Sequence, residues 1–279
     1  MSGSTVSNSQ FEPVGPVRLH VENGKGTVEI TAGDTTEATV DIVGADADDV
    51  RVELNGEDLI VIAPQQRGGL FGGDRRLDMT ITVPTRSELT CKLGSADLIT
   101  HSTLGPASVR TGSGDLTIEH LAGPALIESG SGEITLQHAA EPLRVKSGSG
   151  DVTVRHAGAE LSVSTGSGEV EIGDCHGNAS VKTGSGDLHV GHAHTNVSLS
   201  TGSGDLVIDQ VTAGRIQLKG ASGDLRVGIP AGIPVWTDIT TVSGRVHSDL
   251  EGAGQPEPGA DYIEVRAKTV SGDVDLRQL

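Results

Sequence analysis

Aromatic side chains are nearly missing from this chain of 279 residues, which has Phe11, Phe71, Trp236 and Tyr262 and no others. Four rings spread over that length leave no stacking platform for sugars or bases. Cysteine is as scarce. Cys91 and Cys175 are the two copies, and both fall at apolar positions of the pattern described below. They read as free core thiols, not as a disulfide or a zinc knuckle. Basic charge is in deficit: Lys and Arg total 20 against 38 Asp and Glu, a net charge of −18. Such a balance argues against nucleic acid and anionic lipid as general partners, and favours solubility. No apolar run is long enough for a membrane-spanning helix. The first 20 residues lack both a basic and an apolar leader segment, so the expected compartment is cytoplasmic. No stretch combines helical periodicity with caps, which predicts almost no helix.

What the chain has is a repeat. Gly-Ser-Gly followed by an acid recurs every 18 residues, opening at Gly112, Gly130, Gly148, Gly166, Gly184 and Gly202. A degenerate copy starts at Gly94, and a later one, Ser222-Gly223-Asp224, comes one residue late. A fixed short period is the signature of a solenoid, each repeat one coil stacked on the last. In the type repeat Thr111 to Glu128, aliphatic residues alternate with polar ones at Leu116 and Ile118, and again at Ala125 and Ile127. Each coil therefore carries two short strands with one face inward. Leu121, Ala139, Ala157, Cys175, Ala193 and Val211 fill a small apolar corner position. At ~1.5–3 kcal/mol per buried aliphatic, one coil does not offset its ordering cost of ~1–2 kcal/mol per residue. Stacking supplies the stability. The predicted fold class is all-β, a single-stranded parallel β-solenoid with 18-residue coils and irregular β caps.

The ends depart from the repeat. Residues 1–16 are polar and Ser-rich and read as a disordered tail. Residues 17–92 alternate like strands without the repeat and read as an N-terminal β cap with irregular rungs. Residues 93–228 form the regular solenoid, and 229–279 form C-terminal irregular rungs and a cap. Atypical terminal repeats are what a solenoid needs to protect its open edges.

The GSGDL/TGSGEV run, Gly24–Ile30, the Leu59–Ala63 strand and the ending Val83-Pro84 together resemble the bacterial putative-adhesin family, whose members carry β-strand repeats. The resemblance covers residues 17 to 279. It brings no catalytic residues with it, and it implies association with envelope-stress regulators or transporters.

Three columns and one loop could carry chemistry. The acids Asp97, Asp115, Glu133, Asp151, Glu169, Asp187 and Asp205 stack. Either each carboxylate accepts backbone N–H groups of its own Gly-rich corner, or the column is a calcium ladder. A second column reads His120, His138, His156, Asp174 and His192, with His176 and His194 nearby. It is open to three readings: a transition-metal site, a packed polar ladder, or a pH sensor. Thr and Ser at the first and third motif positions, such as Thr165 and Ser167, read as hydroxyls on an outer corner. The loop from Gln65 to Arg76 places Leu70 and Phe71 among Arg67, Arg75 and Arg76. Either these side chains cap the core end or they anchor a partner, since apolar residues flanked by Arg suit an interface centre.

No nucleophile–base constellation or phosphate loop has a credible context. The expectation is a non-enzymatic scaffold or protein-interaction module with no cofactor. Its expected partner is a protein, membrane-associated ones included, with self-association through the solenoid ends as a further route. The alternative is a metal-binding or carbohydrate-active protein using the stacked His or acid ladder.

Overall fold

The computed structural model describes residues 5–64, 76–251 and 262–279. Among the described residues there is no α-helix, and a 3-10 turn at Ala47–Asp49 is the one helical element. The protein is an all-β repeat built from parallel sheets, and it divides into two compact units, Met1–Glu141 and Pro142–Leu279.

The first unit opens with β1 (Thr5–Phe11), β2 (Arg18–Asn23), β3 (Gly26–Gly33), β4 (Ala38–Gly44), β5 (Arg51–Asn55), β6 (Asp58–Ile62) and β7 (Leu77–Pro84). It continues with β8 (Glu88–Leu93), β9 (Asp97–Leu104), β10 (Ala107–Thr111), β11 (Leu116–Leu121), β12 (Ala125–Ser129) and β13 (Ile134–Ala139). Its first sheet has the order β1-β4-β7-β3-β9-β11-β13, and its second β5-β6-β2-β8-β10-β12.

The second unit begins with β14 (Leu143–Ser147), β15 (Val152–Ala157), β16 (Leu161–Ser167), β17 (Val170–Cys175), β18 (Ala179–Ser185), β19 (Leu188–Ala193) and β20 (Val197–Ser203). It ends with β21 (Leu206–Val211), β22 (Gly214–Ser222), β23 (Leu225–Ile229), β24 (Val235–Ser243), β25 (Val246–Ser248), β26 (Ile263–Ser271) and β27 (Val274–Gln278). Here the first sheet runs β15-β17-β19-β21-β23-β27-β25 and the second β14-β16-β18-β20-β22-β26-β24.

Register follows the sequence pattern. Ala107 pairs with Ala125 and Leu116 with Ile134 in the first unit. Val163 pairs with Val181 and Val170 with Leu188 in the second. Each aliphatic residue thus sits on its counterpart in the next strand, and the columns are buried: Ile118, Ile127, Val154, Val163, Val181 and Leu199 are at most 1% exposed. One extra residue shifts the register at β22, where Val197 pairs with Ile216. Gly214, at φ +95°, takes up the insertion just before it. In the second unit the corner glycines Gly168, Gly186 and Gly204 hold φ of +154°, +142° and +137°. A Cβ on Gly186 would lie 2.2 Å from the Gly168 carbonyl oxygen, so conformation and close stacking both demand glycine there.

Three features differ from the sequence reading. First, Thr5–Phe11 of the segment read as a tail forms β1, antiparallel to β4. Its polar side chains find cross-strand partners: Asn8 donates to Asp41, and Gln10 Nε2 donates to Glu37 Oε2 at 2.9 Å. An edge strand that gains a backbone ladder and polar pairs needs little apolar content, so composition alone suggested disorder.

Second, the first hydroxyl of each motif points inward. Thr111, Ser129, Ser147, Thr165, Thr183 and Thr201 are at most 8% exposed. Thr111 Oγ1 accepts the Gly114 N–H at 3.1 Å, and Ser129 and Ser147 repeat the contact with Gly132 and Gly150. These hydroxyls close the turn from within, as Ser and Thr do when they satisfy a local backbone donor. The Ser at the third position is exposed throughout these motifs.

Third, chain order and spatial order part at the ends. In the first unit β3 lies between β7 and β9, and β2 between β6 and β8. The outer edge there is covered by the antiparallel strands β4, β1 and β5. In the second unit the last strands, β26 and β27, insert beneath β24 and β25. β26 and β27 are thereby each paired on both sides, away from the sheet edge.

Thermal melts test the inward column against its outward neighbour. Val163→Asp buries a charge in the core and is expected to destabilise by more than about 4 kcal/mol. Ser164→Asp, one residue on and exposed, is expected to stay within about 0.5 kcal/mol. Equal effects contradict the alternation. Thr165→Asp belongs with the first variant, because Thr165 is buried.

Candidate functional site

The His column resolves into a compact cluster in the second unit. β15, β17 and β19 lie side by side, with His156 paired to Asp174 and Asp174 to His192 in the backbone register. Two residues beyond Asp174 and His192 the chain turns and presents His176 and His194. The turn after His176 needs Gly177, because a Cβ there would lie 2.1 Å from the Ala159 carbonyl carbon. Cys175 points inward between the two, and its thiol donates to the Gly177 carbonyl at 3.1 Å.

Asp174 is the centre of the arrangement. His156 Nδ1 lies 3.2 Å and His176 Nε2 3.1 Å from its Oδ2, while His194 Nε2 lies 2.8 Å from its Oδ1. The rings of His176 and His194 stack at 4.2 Å with 2° between planes, and those of His156 and His176 meet at 5.1 Å and 56°. Partial burial works against the charged form of Asp174. The His194 hydrogen bond and the nearby imidazoles outweigh it and hold the carboxyl below its ordinary value. Burial pushes the Cys175 thiol up to about 11, with Asp174 adding to the effect, and the Cys91 thiol up to about 12. Both are protonated at neutral pH and are poor nucleophiles or ligands.

The other members of the column are His120, His138 and His192. His120 and His138 pair in the first unit with ring centroids 5.6 Å apart. His192 is exposed and lies outside the group formed by His156, Asp174 and His176. Arg67, Leu70, Phe71 and Arg75 lie outside the described residues, and Arg76 is described and exposed.

The acid column has a structural job, by a different contact from the one expected. Asp97 Oδ1 accepts the Asp115 N–H at 3.0 Å, and Asp115 Oδ1 accepts the Glu133 N–H at 2.9 Å. Asp151, Asp187 and Asp205 do the same for Glu169, Asp205 and Asp224 at 2.8, 2.7 and 2.8 Å. Each carboxylate caps the next strand's amide instead of its own corner. The corner amides are already engaged: Gly114 N–H with the Thr111 hydroxyl, and Gly186 N–H with the Ser203 carbonyl.

The second sheet of the second unit carries a feature that the sequence reading missed. In register along its outer face stand Lys146, Ser164, Lys182, Ser200, Lys219 and Lys268. All four lysines are exposed. Arg144, Arg215 and Arg266 share the face, against Glu264 and Asp238. Glu264 is taken up by Arg215 and Arg266, each at 2.6 Å, and Arg266 also lies 5.5 Å from the Trp236 ring. Asn178, Asn196, Ser180, Ser198 and Gln217 floor a shallow open groove beside Arg215. The first sheet's outer face is paired off, with Arg155 on Glu171, His189 on Asp209 and Arg277 on Asp275. The signal was available: writing the repeat in 18-residue rows stacks Lys146 and Lys182 at its last position.

The model of the Toastrack DUF4097 family matches residues 17–172 and 126–277. Among solved structures, a putative adhesin from Bacteroides fragilis is similar at 14% identity and a TM-score of 0.42, covering 97% of each chain. A putative lipid binding protein from Parabacteroides distasonis is similar at 13% identity and a TM-score of 0.37, covering 98% of this chain and 96% of its own. A putative adhesin from Parabacteroides merdae gives 13% identity, a TM-score of 0.32 and the same coverage. No curated protein matches the chain.

The carboxylate ladder is tested by substitution. Asp187→Asn keeps an acceptor oxygen for the Asp205 amide and is expected to leave the melting temperature unchanged. Asp187→Ala removes it at a cost of about 1 kcal/mol. Millimolar Ca²⁺ is expected to give no saturable stabilisation, and one that Asp187→Asn abolishes would make the column a calcium ladder.

Proposed function

We propose a non-enzymatic interaction module for this chain, which belongs to the Toastrack DUF4097 family. Its docking face is the outer face of the second sheet in the second unit, and its partner presents an acidic protein surface there. The observation that carries this reading is the exposed lysine column Lys182, Lys219 and Lys268 on a chain of net charge −18. A cationic stripe on an acidic molecule orients an approaching acidic partner, because the rest of the surface repels it. The 18-residue coil is the spacing rule of this proposal. Lys182 and Lys219 lie two strand spacings or about 10 Å apart, and Lys268 lies one spacing beyond Lys219. Trp236, 48% exposed beside Arg266, supplies an aromatic contact at the end of the stripe.

The segment around Phe71 is a second proposed contact, resting on sequence alone. Leu70 and Phe71 among Arg67, Arg75 and Arg76 form an apolar anchor with a basic rim. Cytoplasmic partners tied to envelope stress or transport fit the family resemblance. No catalytic role is assigned to any residue.

Fluorescence anisotropy with a labelled poly-glutamate peptide tests the face. Binding is expected at low ionic strength and is expected to fall steeply with salt. The double variant Lys182→Glu, Lys219→Glu is expected to lose at least about tenfold in affinity, at about 1 kcal/mol per removed contact. Arg155→Glu, on the other sheet, is expected to bind as the unchanged protein does. Equal loss in both variants would mean that general charge, not this face, governs binding. Preferential binding to phosphatidylglycerol vesicles would replace the protein partner by a membrane.

Phe71→Ala is expected to weaken partner recovery without shifting the melting temperature. A loss of about 3–5 kcal/mol would instead identify a buried cap.

A further inference from the structure

We infer that His156, Asp174 and His176 form a binding site for a transition-metal ion of the Zn²⁺ class, with His194 orienting the carboxylate. The inference is independent of the docking face proposed above. One ligand atom from each of the three residues lies within 4.8 Å of the other two. Two of the separations are 3.1 and 3.2 Å, from Asp174 Oδ2 to His176 Nε2 and His156 Nδ1. A tetrahedral ion with bonds of about 2.0–2.1 Å spaces its ligand atoms by about 3.3–3.4 Å. Small side-chain rotations therefore bring all three onto one ion.

The chemistry of the set points the same way. Two imidazoles and one carboxylate suit Zn²⁺, Co²⁺ or Ni²⁺, whereas Ca²⁺ and Mg²⁺ call for more oxygen donors. Two ring nitrogens converge on the single oxygen Asp174 Oδ2. One divalent ion can engage those two nitrogens together with that oxygen. The other carboxylate oxygen, Oδ1, is held by His194 Nε2 at 2.8 Å, and the far nitrogen of His194 lies 3.5 Å from Thr212 Oγ1. An outer hydrogen bond of this kind fixes the direction of a ligating carboxylate. His176 is also held in place by its stack on His194. Three protein ligands at a partly exposed corner leave a fourth position open to water or to a donor from another molecule.

The site is built from two neighbouring repeat columns, which is why a single-column reading does not find it. His156 and Asp174 share one column, and His176 and His194 share the position two residues on. Asp174 interrupts a run of histidines at a place where three imidazoles reach one carboxylate.

Isothermal titration of the untagged protein with ZnCl₂ tests the inference. The expected result is one equivalent of tight sites, with no comparable heat from CaCl₂ or MgCl₂. His176→Ala is at an exposed position and is expected to melt normally without metal while losing the tight site. Asp174→Asn is expected to lose it too, and His194→Ala to weaken it by about 10–100-fold. His120→Ala is expected to change nothing. Co²⁺ in place of Zn²⁺ is expected to give the visible absorption of a four-coordinate ion, lost in His176→Ala. Absence of a tight Zn²⁺ site in the unchanged protein overturns the inference, as does an unchanged affinity in both His176→Ala and Asp174→Asn.

Discussion

The parallel backbone ladder between successive coils is the constraint on which everything else in this protein depends. In-register pairing sets Val163 against Val181, Asp187 against Asp205 and Lys182 two strands from Lys219. Once the ladder is set, every repeat position becomes a column. The inward columns give a narrow core of Val, Leu, Ile and Ala. No one coil is stable without its neighbours, since its few aliphatic contacts do not offset its own ordering cost.

Columns multiply whatever they contain, favourable or not. Stacked carboxylates repel across one strand spacing, yet each Asp also accepts the amide of the next coil. Stacked lysines repel in the same way, and Ser164 and Ser200 space Lys146, Lys182 and Lys219. The imidazoles are relieved by Asp174, which draws His156, His176 and His194 around one carboxylate. The chemistry of the surface is thus decided by substitutions within a column.

The repeat made the core legible. Leu116, Val163 and Leu199 could be placed inward from period-2 alternation alone, and they are buried. The corner glycines could be placed because stacking and positive φ leave no other residue. Other features obeyed rules that a linear reading does not see. Thr111 sits in a polar motif yet is buried, because its hydroxyl closes the turn from inside by accepting the Gly114 N–H. Thr5–Phe11 looked like a tail because its stabilisation comes from backbone pairing and from Asn8 and Gln10, not from apolar area. The order of the terminal strands followed from long-range pairing of β26 with β22, which no local pattern encodes. At the candidate site the sequence offered His156, Asp174 and His176 as neighbours. It could not say that His192 turns away while His194 turns in.

The most direct test of the column account is a spin-label distance across the second sheet. Lys146 and Lys219 are separated by four consecutive strand pairings through Ser164, Lys182 and Ser200. Both are exposed, and the native thiols of Cys91 and Cys175 are buried and protonated, so nitroxides can be directed to Cys introduced at these two positions. Four strand spacings put the backbone positions about 19 Å apart. A narrow distribution near that value, widened only by the label arms, is the predicted result. A separation beyond about 30 Å, or a broad distribution without a peak, would contradict the in-register stacking that underlies the core, the carboxylate ladder and both proposed binding surfaces.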